Sequence, residues 1–273
     1  MVRVKSRVLE RFQRIARLGW RRLCCLVLVT YSAPVLSIDA TIAVAANFRE
    51  TASAIAQQLE AISDHRYQVI SGSTGKLVSQ IIAGAPYDIL MAADQRRPGL
   101  LVERGLVMPG SLRTYAIGEL GLWWPNATGP VSIQALFELS PDRVGIANPA
   151  IAPYGEAAIA VLARSGADPE WVEGVVRADN VNLVAGMVAA GQIAAGFVAR
   201  ASVHEGARHG GVNISEEDVM WLSDHPEIRQ DMVQLARAGR NAAAAFWVEQ
   251  LKSPEIRAVI KSRGYQLPAE GED

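Results

Sequence analysis

The sequence contains very little cysteine, because only Cys24 and Cys25 occur among its 273 residues. Both lie in an apolar stretch near the N-terminus, and the chain beyond that stretch has none. A domain without cysteine has neither a disulfide framework nor a thiol nucleophile. The composition therefore excludes a disulfide-stabilised scaffold and cysteine catalysis for the rest of the chain.

Motifs of the common enzyme classes are also missing. The sequence has no Gly-x-Ser-x-Gly elbow for a nucleophilic serine and no GxxxxGK[ST] loop for a nucleotide phosphate. Of the four histidines, His204 and His209 lie closest together, but they stand five apart in a polar stretch, and no cysteine or paired carboxylate completes a metal ligand set. We therefore predict a protein that is not an enzyme and has no cofactor, with an exported hydrolase as the alternative.

The first forty residues differ from the rest of the chain. Eight arginine and lysine residues precede an apolar run at 23–31, and small residues follow it. This order is typical of a secretory signal, and the run is shorter than the roughly 20 residues of a membrane-spanning helix. We predict that residues 1–40 are a signal peptide, cut after Ala40 because Thr41 opens the first strand, and that the protein is exported to the periplasm. An N-terminal anchoring helix and lipid attachment at Cys24 are the alternatives.

Removal of this segment leaves an acidic protein. The segment holds eight of the 27 lysines and arginines and two of the 28 acidic residues, so residues 41–273 carry a formal charge of −7. An acidic domain lacks the basic surface that nucleic acid requires. We therefore expect no nucleic-acid partner, and any bound anion must be held by local dipoles rather than by the overall field.

Short apolar runs alternate with helical patterns after residue 40. The predicted strands lie at 41–46, 67–70, 87–93, 143–147 and 193–198. Strands that alternate with amphipathic helices are typical of an α/β fold with a parallel sheet. A long, glycine-broken apolar run at 115–124 interrupts the alternation, and we interpret it as a strand that crosses between two lobes.

The crossing strand predicts how the chain divides. We expect lobe I to comprise residues 41–117 and 225–273, the latter with a helical segment at 242–264, and lobe II to comprise residues 118–224. A lobe built from both ends of the chain, joined to an inserted lobe, forms a cleft that closes about a few hinge residues. The fold class is therefore predicted as two-lobed α/β with a ligand cleft between the lobes.

Three turns place small or polar residues between the end of a strand and the start of a helix. They carry Asn47, the pair Ser73 and Thr74, and Tyr154. Ligands bind at this edge of open α/β sheets, and a helix N-terminus offers unpaired N–H groups and roughly half a positive charge to an anion. Alternatively, Asn47 is only a helix N-cap, Ser73 and Thr74 are turn residues, and Tyr154 only packs. We expect Lys76 to be a solvated first-turn lysine.

An ordered set of segments resembles the periplasmic molybdate-binding proteins of ABC transporters, which have the type II periplasmic binding protein fold. The segments are VAANF at 44–48, SGSTGKL at 71–77, GAPYD at 84–88, AAD at 92–94, IANP at 146–149, PYG at 153–155, GFV at 196–198 and, near the C-terminus, Phe246, Ser253-Pro254 and Gly264-Tyr265. The resemblance covers roughly residues 41–268. It implies capture of molybdate or tungstate and delivery to an inner-membrane permease and its ATPase.

The same resemblance assigns site residues. It implies that Asn47, Ser73, Tyr154 and Val181 hydrogen-bond the oxyanion and thereby hold its molybdenum, with Val181 contributing a backbone N–H. Some members carry a tyrosine where this chain has Ala199, so we expect Tyr154 to supply that hydroxyl. We also expect a monomer. A binder of another small anion, such as sulfate or phosphate, is the alternative within the same fold.

Overall fold

The computed structural model describes residues 38–203 and 214–269. The predicted signal peptide lies outside the described residues apart from its last three positions, and so do Cys24, Cys25, His204 and His209. Within the described ranges, no helix combines the length and hydrophobicity needed to cross a membrane.

The first of two five-stranded sheets has the strand order β2-β1-β3-β10-β4. Its strands are β1 Ala40–Ala45, β2 Tyr67–Gly72, β3 Ile89–Met91, β4 Arg113–Gly118 and β10 Ile228–Gln234. Strand β1 is almost entirely buried and pairs in parallel with β2 and β3, as its unbroken apolar sequence predicts. Its first residue, Ala40, is 1% exposed and pairs with Tyr67. The strand thus opens one residue before the predicted Thr41.

The second sheet has the order β7-β6-β8-β5-β9. Its strands are β5 Leu120–Trp123, β6 Val144–Ala147, β7 Val176–Ala178, β8 Ala195–Ala199 and β9 Val219–Leu222. Both sheets are mixed rather than wholly parallel as predicted. The reason is the route of the chain: β10 re-enters the first sheet antiparallel to β3 and β4, while β5 runs antiparallel to β8 and β9.

The predicted crossing strand at 115–124 is divided between the two sheets. Strand β4 lies in the first sheet and β5 in the second, with only Glu119 between them. We refer to each sheet with its helices as the first and second lobe. The first sheet thus takes its strands from before residue 119 and from Ile228–Gln234, and the second takes all of its strands from the segment between.

Helices cover the sheets and bury one face each. They are α1 Arg49–Ala61, α2 Thr74–Ile82, α3 Arg96–Glu103, α4 Ile133–Leu136, α5 Pro153–Arg164, α6 Pro169–Glu173, α7 Val181–Ala189, α8 Ala242–Gln250 and α9 Pro254–Ser262. In α1 the buried residues Ala52, Ile55, Ala56 and Leu59 repeat with helical spacing, as the sequence predicts. The segment 242–264 forms two helices because Pro254 starts a new one.

Candidate functional site

Four helical segments begin around one small cavity. They are the 3₁₀ turn Ala46–Phe48 and the helices α2, α5 and α7. The cavity encloses about 220 Å³ and contains all four sequence-predicted site residues. Its described lining residues are all uncharged: Ala45, Ala46, Asn47, Ser73, Thr74, Ala93, Ala152, Pro153, Tyr154, Asn180 and Val181. The first N–H groups of a helix have no partner within it, so these segments direct donors towards one point.

Asn47 lies in the 3₁₀ turn and is buried. The alternative that it only caps a helix is wrong, because Phe48 occupies the N-cap position of α1 and makes no side-chain cap. Instead, the Asn47 amide nitrogen donates to Gln230 Oε1 at 3.0 Å and to the Tyr265 hydroxyl at 3.1 Å. Tyr265 in turn donates to the Asn47 carbonyl oxygen at 2.8 Å. These bonds hold the first turn rigidly at the cavity wall.

Ser73 occupies the N-cap position of α2 and is 3% exposed, yet its hydroxyl caps nothing. Among the described residues, no hydrogen-bond partner lies within reach of its Oγ. The neighbouring Thr74 hydroxyl has a structural partner, since it accepts from the Ala93 N–H at 3.1 Å. A buried hydroxyl without a partner costs free energy, so an unpaired one at a cavity wall is suited to a ligand. Lys76 forms an exposed ion pair with Asp179 across the cleft.

Tyr154 lies in the first turn of α5, where Pro153 presets the helical backbone. Its ring packs in the core of the second lobe, and its hydroxyl accepts from Gln230 Nε2 at 3.2 Å. Burial raises the pKa of Tyr154 well above its ordinary value, against smaller lowering effects of the Gln230 and Asn47 hydrogen bonds. The hydroxyl therefore keeps its proton and can donate it.

Val181 is the first residue of α7, and its backbone lies at the cavity. Asn180 caps this helix, with its Oδ1 accepting from the N–H groups of Asn182 and Leu183 at 3.1 Å each. The cap engages the second and third N–H groups of α7 rather than that of Val181. Ala199 ends β8, is fully buried and stands apart from the described lining residues, as its exclusion from the predicted site requires.

Sequence reasoning missed one residue beside this cavity. Gln230 is fully buried in β10 and bonds three polar side chains: Asn47, Tyr154 and Tyr115. The available signal was a glutamine inside an otherwise apolar strand pattern, because a buried amide requires partners. Those partners come from residues up to 183 positions away, so the pattern alone does not identify them.

The two lobes meet around the cavity through direct bonds. The Gly75 N–H donates to the Ile151 carbonyl at 2.9 Å, and Asn182 Nδ2 donates to the Ala46 carbonyl at 2.7 Å. Arg97 of α3 bonds Glu156 of α5 at 3.1 Å. These contacts describe a closed cleft that shields the cavity from water.

The donor set suits an anion rather than a metal cation. Over the described part of the chain, no group of three or more His, Cys, Asp or Glu side chains is arranged to hold a metal ion. Hydroxyl and N–H groups at helix starts stabilise negative charge. The arrangement can bind a small anion, and it presents no nucleophile paired with a base.

The sequence matches the family model described as "Bacterial extracellular solute-binding protein" over residues 40–266. It is 31% identical to the molybdate-binding protein ModA of Rhodobacter capsulatus, over 85% of this chain and 90% of that protein. It is 35% identical to the protein of the same name from Azotobacter vinelandii, over 84% of this chain and 90% of that protein.

Solved structures give the same result. The periplasmic molybdate-binding protein of Azotobacter vinelandii superposes with a TM-score of 0.76 at 30% identity, over 84% of this chain and 99% of that chain. The sulfate-binding protein SubI of Mycobacterium tuberculosis has a TM-score of 0.66 at 13% identity, over 86% of this chain and 88% of that chain, and shares the fold alone. The chain therefore belongs to the bacterial extracellular solute-binding proteins, in the branch that includes the molybdate-binding proteins of Rhodobacter capsulatus and Azotobacter vinelandii.

Proposed function

We propose that this protein captures molybdate or tungstate in the periplasm and delivers it to an ABC permease powered by its ATPase. The unpaired Ser73 hydroxyl, buried at a cavity of uncharged residues, is the observation that carries the proposal. Two relatives above 30% identity are named for molybdate binding, which supports this ligand over other anions. The relatives are binding proteins, in agreement with the prediction that this chain is not an enzyme.

The proposed ligands are the hydroxyls of Ser73 and Tyr154, the backbone N–H of Val181 and the first turn at Asn47. The Asn47 amide hydrogens already bond Gln230 and Tyr265, so the backbone N–H is the group that this residue has left to offer. A dianion buried without a counter-charge is stable only when neutral donors saturate its oxygens. Four donor groups on two lobes meet that requirement once the cleft closes.

Size separates the proposed ligand from sulfate. Both anions are tetrahedral dianions, so donors of the same number and kind do not distinguish their charges. Molybdate and tungstate are larger, because their central atoms form longer bonds to oxygen. A cavity fixed by bonds between the lobes would leave the smaller sulfate short of some donors, and each unmade bond at a buried donor costs affinity.

The remaining parts of the proposal concern processing and assembly. We propose that lobe I spans 41–117 and 225–273, that lobe II spans 118–224, and that the protein is a monomer. We also propose that the N-terminal segment is removed as a signal peptide. Because the N–H groups of Asp39 and Ala40 both approach the Arg66 carbonyl, a cut before Ile38 preserves the first strand better than a cut after Ala40.

Isothermal titration of the purified protein tests the ligand assignment. We expect binding heat with molybdate and with tungstate, and little or none with sulfate or phosphate at the same concentration. Silence with molybdate together with heat from another anion would refute the assignment. Turnover of esterase or phosphatase substrates that disappears in an Asn47→Ala, Ser73→Ala double variant would instead favour the exported hydrolase.

A further inference from the structure

Gln230 is a fully buried amide that joins the two lobes. It belongs to β10 of the first lobe, whereas Tyr154, which accepts its N–H, belongs to α5 of the second. Its bond to Tyr154 therefore exists only while the cleft is closed. Gly118 provides the space for this pair, since a Cβ atom there would lie 2.1 Å from the Tyr154 hydroxyl and 2.6 Å from Gln230 Nε2.

The partners of the Gln230 amide fix which end is the donor. Oε1 accepts from Asn47 Nδ2 at 3.0 Å and from the Tyr115 hydroxyl at 3.1 Å, whose single proton is shared with the Ala92 carbonyl at 2.9 Å. Nε2 is therefore the end that faces Tyr154 and donates to its oxygen.

The reversed amide is the worse arrangement. If Gln230 were rotated by half a turn, Asn47 would have to rotate too, and its Oδ1 would then face the Tyr265 oxygen. The Tyr265 proton is already given to the Asn47 carbonyl at 2.8 Å, so the rotated pair would place two acceptors against each other. The network as a whole keeps the Gln230 N–H directed at Tyr154.

We propose that Gln230 is a positioning residue that makes the Tyr154 hydroxyl an obligate donor to the bound anion, and that it thereby selects unprotonated oxyanions over protonated ones. This inference rests on the proposed function and deepens it. Because the Tyr154 oxygen already accepts from Gln230, its own proton remains for an acceptor in the cavity. Molybdate offers only acceptors and fits this direction.

A protonated oxyanion meets the opposite situation. Hydrogen phosphate and hydrogen arsenate carry an O–H group that needs an acceptor when it is buried. Tyr154 is the hydroxyl whose lone pair Gln230 occupies, so it gives such an anion no acceptor. Selectivity arises from this mismatch of donors, in addition to cavity size.

Titrations with two probes test the proposal: molybdate, and arsenate above neutral pH, where it is a dianion with one proton. Gln230→Met removes the directing N–H, and we expect about a tenfold loss of molybdate affinity, the worth of one directed hydrogen bond to a charged group. The freed Tyr154 oxygen then accepts from hydrogen arsenate, so the ratio of arsenate to molybdate affinity rises by about tenfold or more.

Three further variants separate positioning from a structural role. Gln230→Glu keeps the shape but turns the Tyr154 proton towards a carboxylate, so the ratio also rises although both dianions are repelled alike. Tyr154→Phe lowers molybdate affinity without any gain for arsenate, and the Tyr154→Phe, Gln230→Met double variant matches it. Gln234→Met is the matched control on the same strand, where the glutamine donates to the Ala238 carbonyl, and it leaves both affinities unchanged.

The outcomes are distinct. An unchanged affinity ratio in both Gln230 variants, with weaker molybdate binding, would overturn the positioning role and leave a structural one. A rise in the ratio that persists in the double variant would overturn the route through Tyr154. A wild-type protein that binds no molybdate would refute the proposed function itself.

Discussion

At the scale of single residues, Ser73 differs from the other buried hydroxyls of the site. Thr74 holds the Ala93 N–H, and the Tyr115 hydroxyl bonds the Ala92 carbonyl, whereas the Ser73 hydroxyl lacks a partner among the described residues. A side chain that serves only the fold normally satisfies its polar atom. The unsatisfied hydroxyl stores a cost that a bound oxyanion removes.

The Ser73→Ala variant tests this account. We expect molybdate affinity to fall by about 10- to 100-fold, because a hydrogen bond to a charged group is lost. Thermal unfolding without ligand should show equal or slightly higher stability, since no existing bond is broken. Ser111→Ala is the matched control, because its buried hydroxyl exchanges bonds with the Gln234 backbone at 3.2 and 3.3 Å. That control should lower stability and leave affinity intact; the reverse pattern would assign Ser73 to the fold.

The residue roles were only partly predictable from sequence. The turns that carry Asn47, Ser73 and Tyr154 followed from the alternation of strands and helices, and the structure brings these residues to one cavity. Gln230 did not follow, because its importance depends on three side chains distant in sequence. Local patterns predict which residues stand at helix starts, but not which buried amide directs them.

At the scale of elements, the site depends on where helices start. Each strand of the pairs β1–α1, β2–α2 and β6–α5 ends at the edge where its helix begins, so the sequence pattern positions the N-termini. The antiparallel course of β10 was not predictable, since its apolar run is equally suited to either direction. Only the path of the returning chain decides that direction.

The cap of α7 offers a prediction for an element. Asn180→Ala removes two bonds to the first turn, so we expect a stability loss of about 1 kcal/mol, together with weaker molybdate binding as the Val181 N–H loses its fixed position. Asn241→Ala is the matched control, because Asn241 caps α8 through the equivalent N–H groups of Ala243 and Ala244, away from the cavity. Urea unfolding and titration should show similar stability losses but reduced affinity only for Asn180→Ala. Equal affinities would remove α7 from the site.

At the scale of the whole molecule, closure compensates for an unfavourable field. Residues 41–273 carry a formal charge of −7, so the overall potential repels the proposed ligand. Binding must come from short-range donors in a cavity that the closed lobes exclude from water. The contact of Gly75 with Ile151 is the tightest measure of that closure, since a Cβ at Gly75 would lie 3.0 Å from the Ile151 Cα.

A Gly75→Leu variant should hold the cleft open. We expect molybdate affinity to fall by roughly tenfold or more, because the closed state becomes a minor population. Small-angle scattering with molybdate should then give a larger radius of gyration than for the wild type. Gly99→Leu is the control, since its helical position faces open space among the described residues. A closed, tight-binding Gly75→Leu protein would contradict the closure model.

The most direct test of the central claim is a crystal structure of the protein grown with molybdate, with anomalous data that locate the molybdenum. The account predicts one strong peak in the cavity between Ser73 and Tyr154, with oxygens of the anion in hydrogen-bond contact with both hydroxyls and with the Val181 N–H. An anion bound at another surface, or an empty cavity in a protein that binds molybdate in solution, would contradict it.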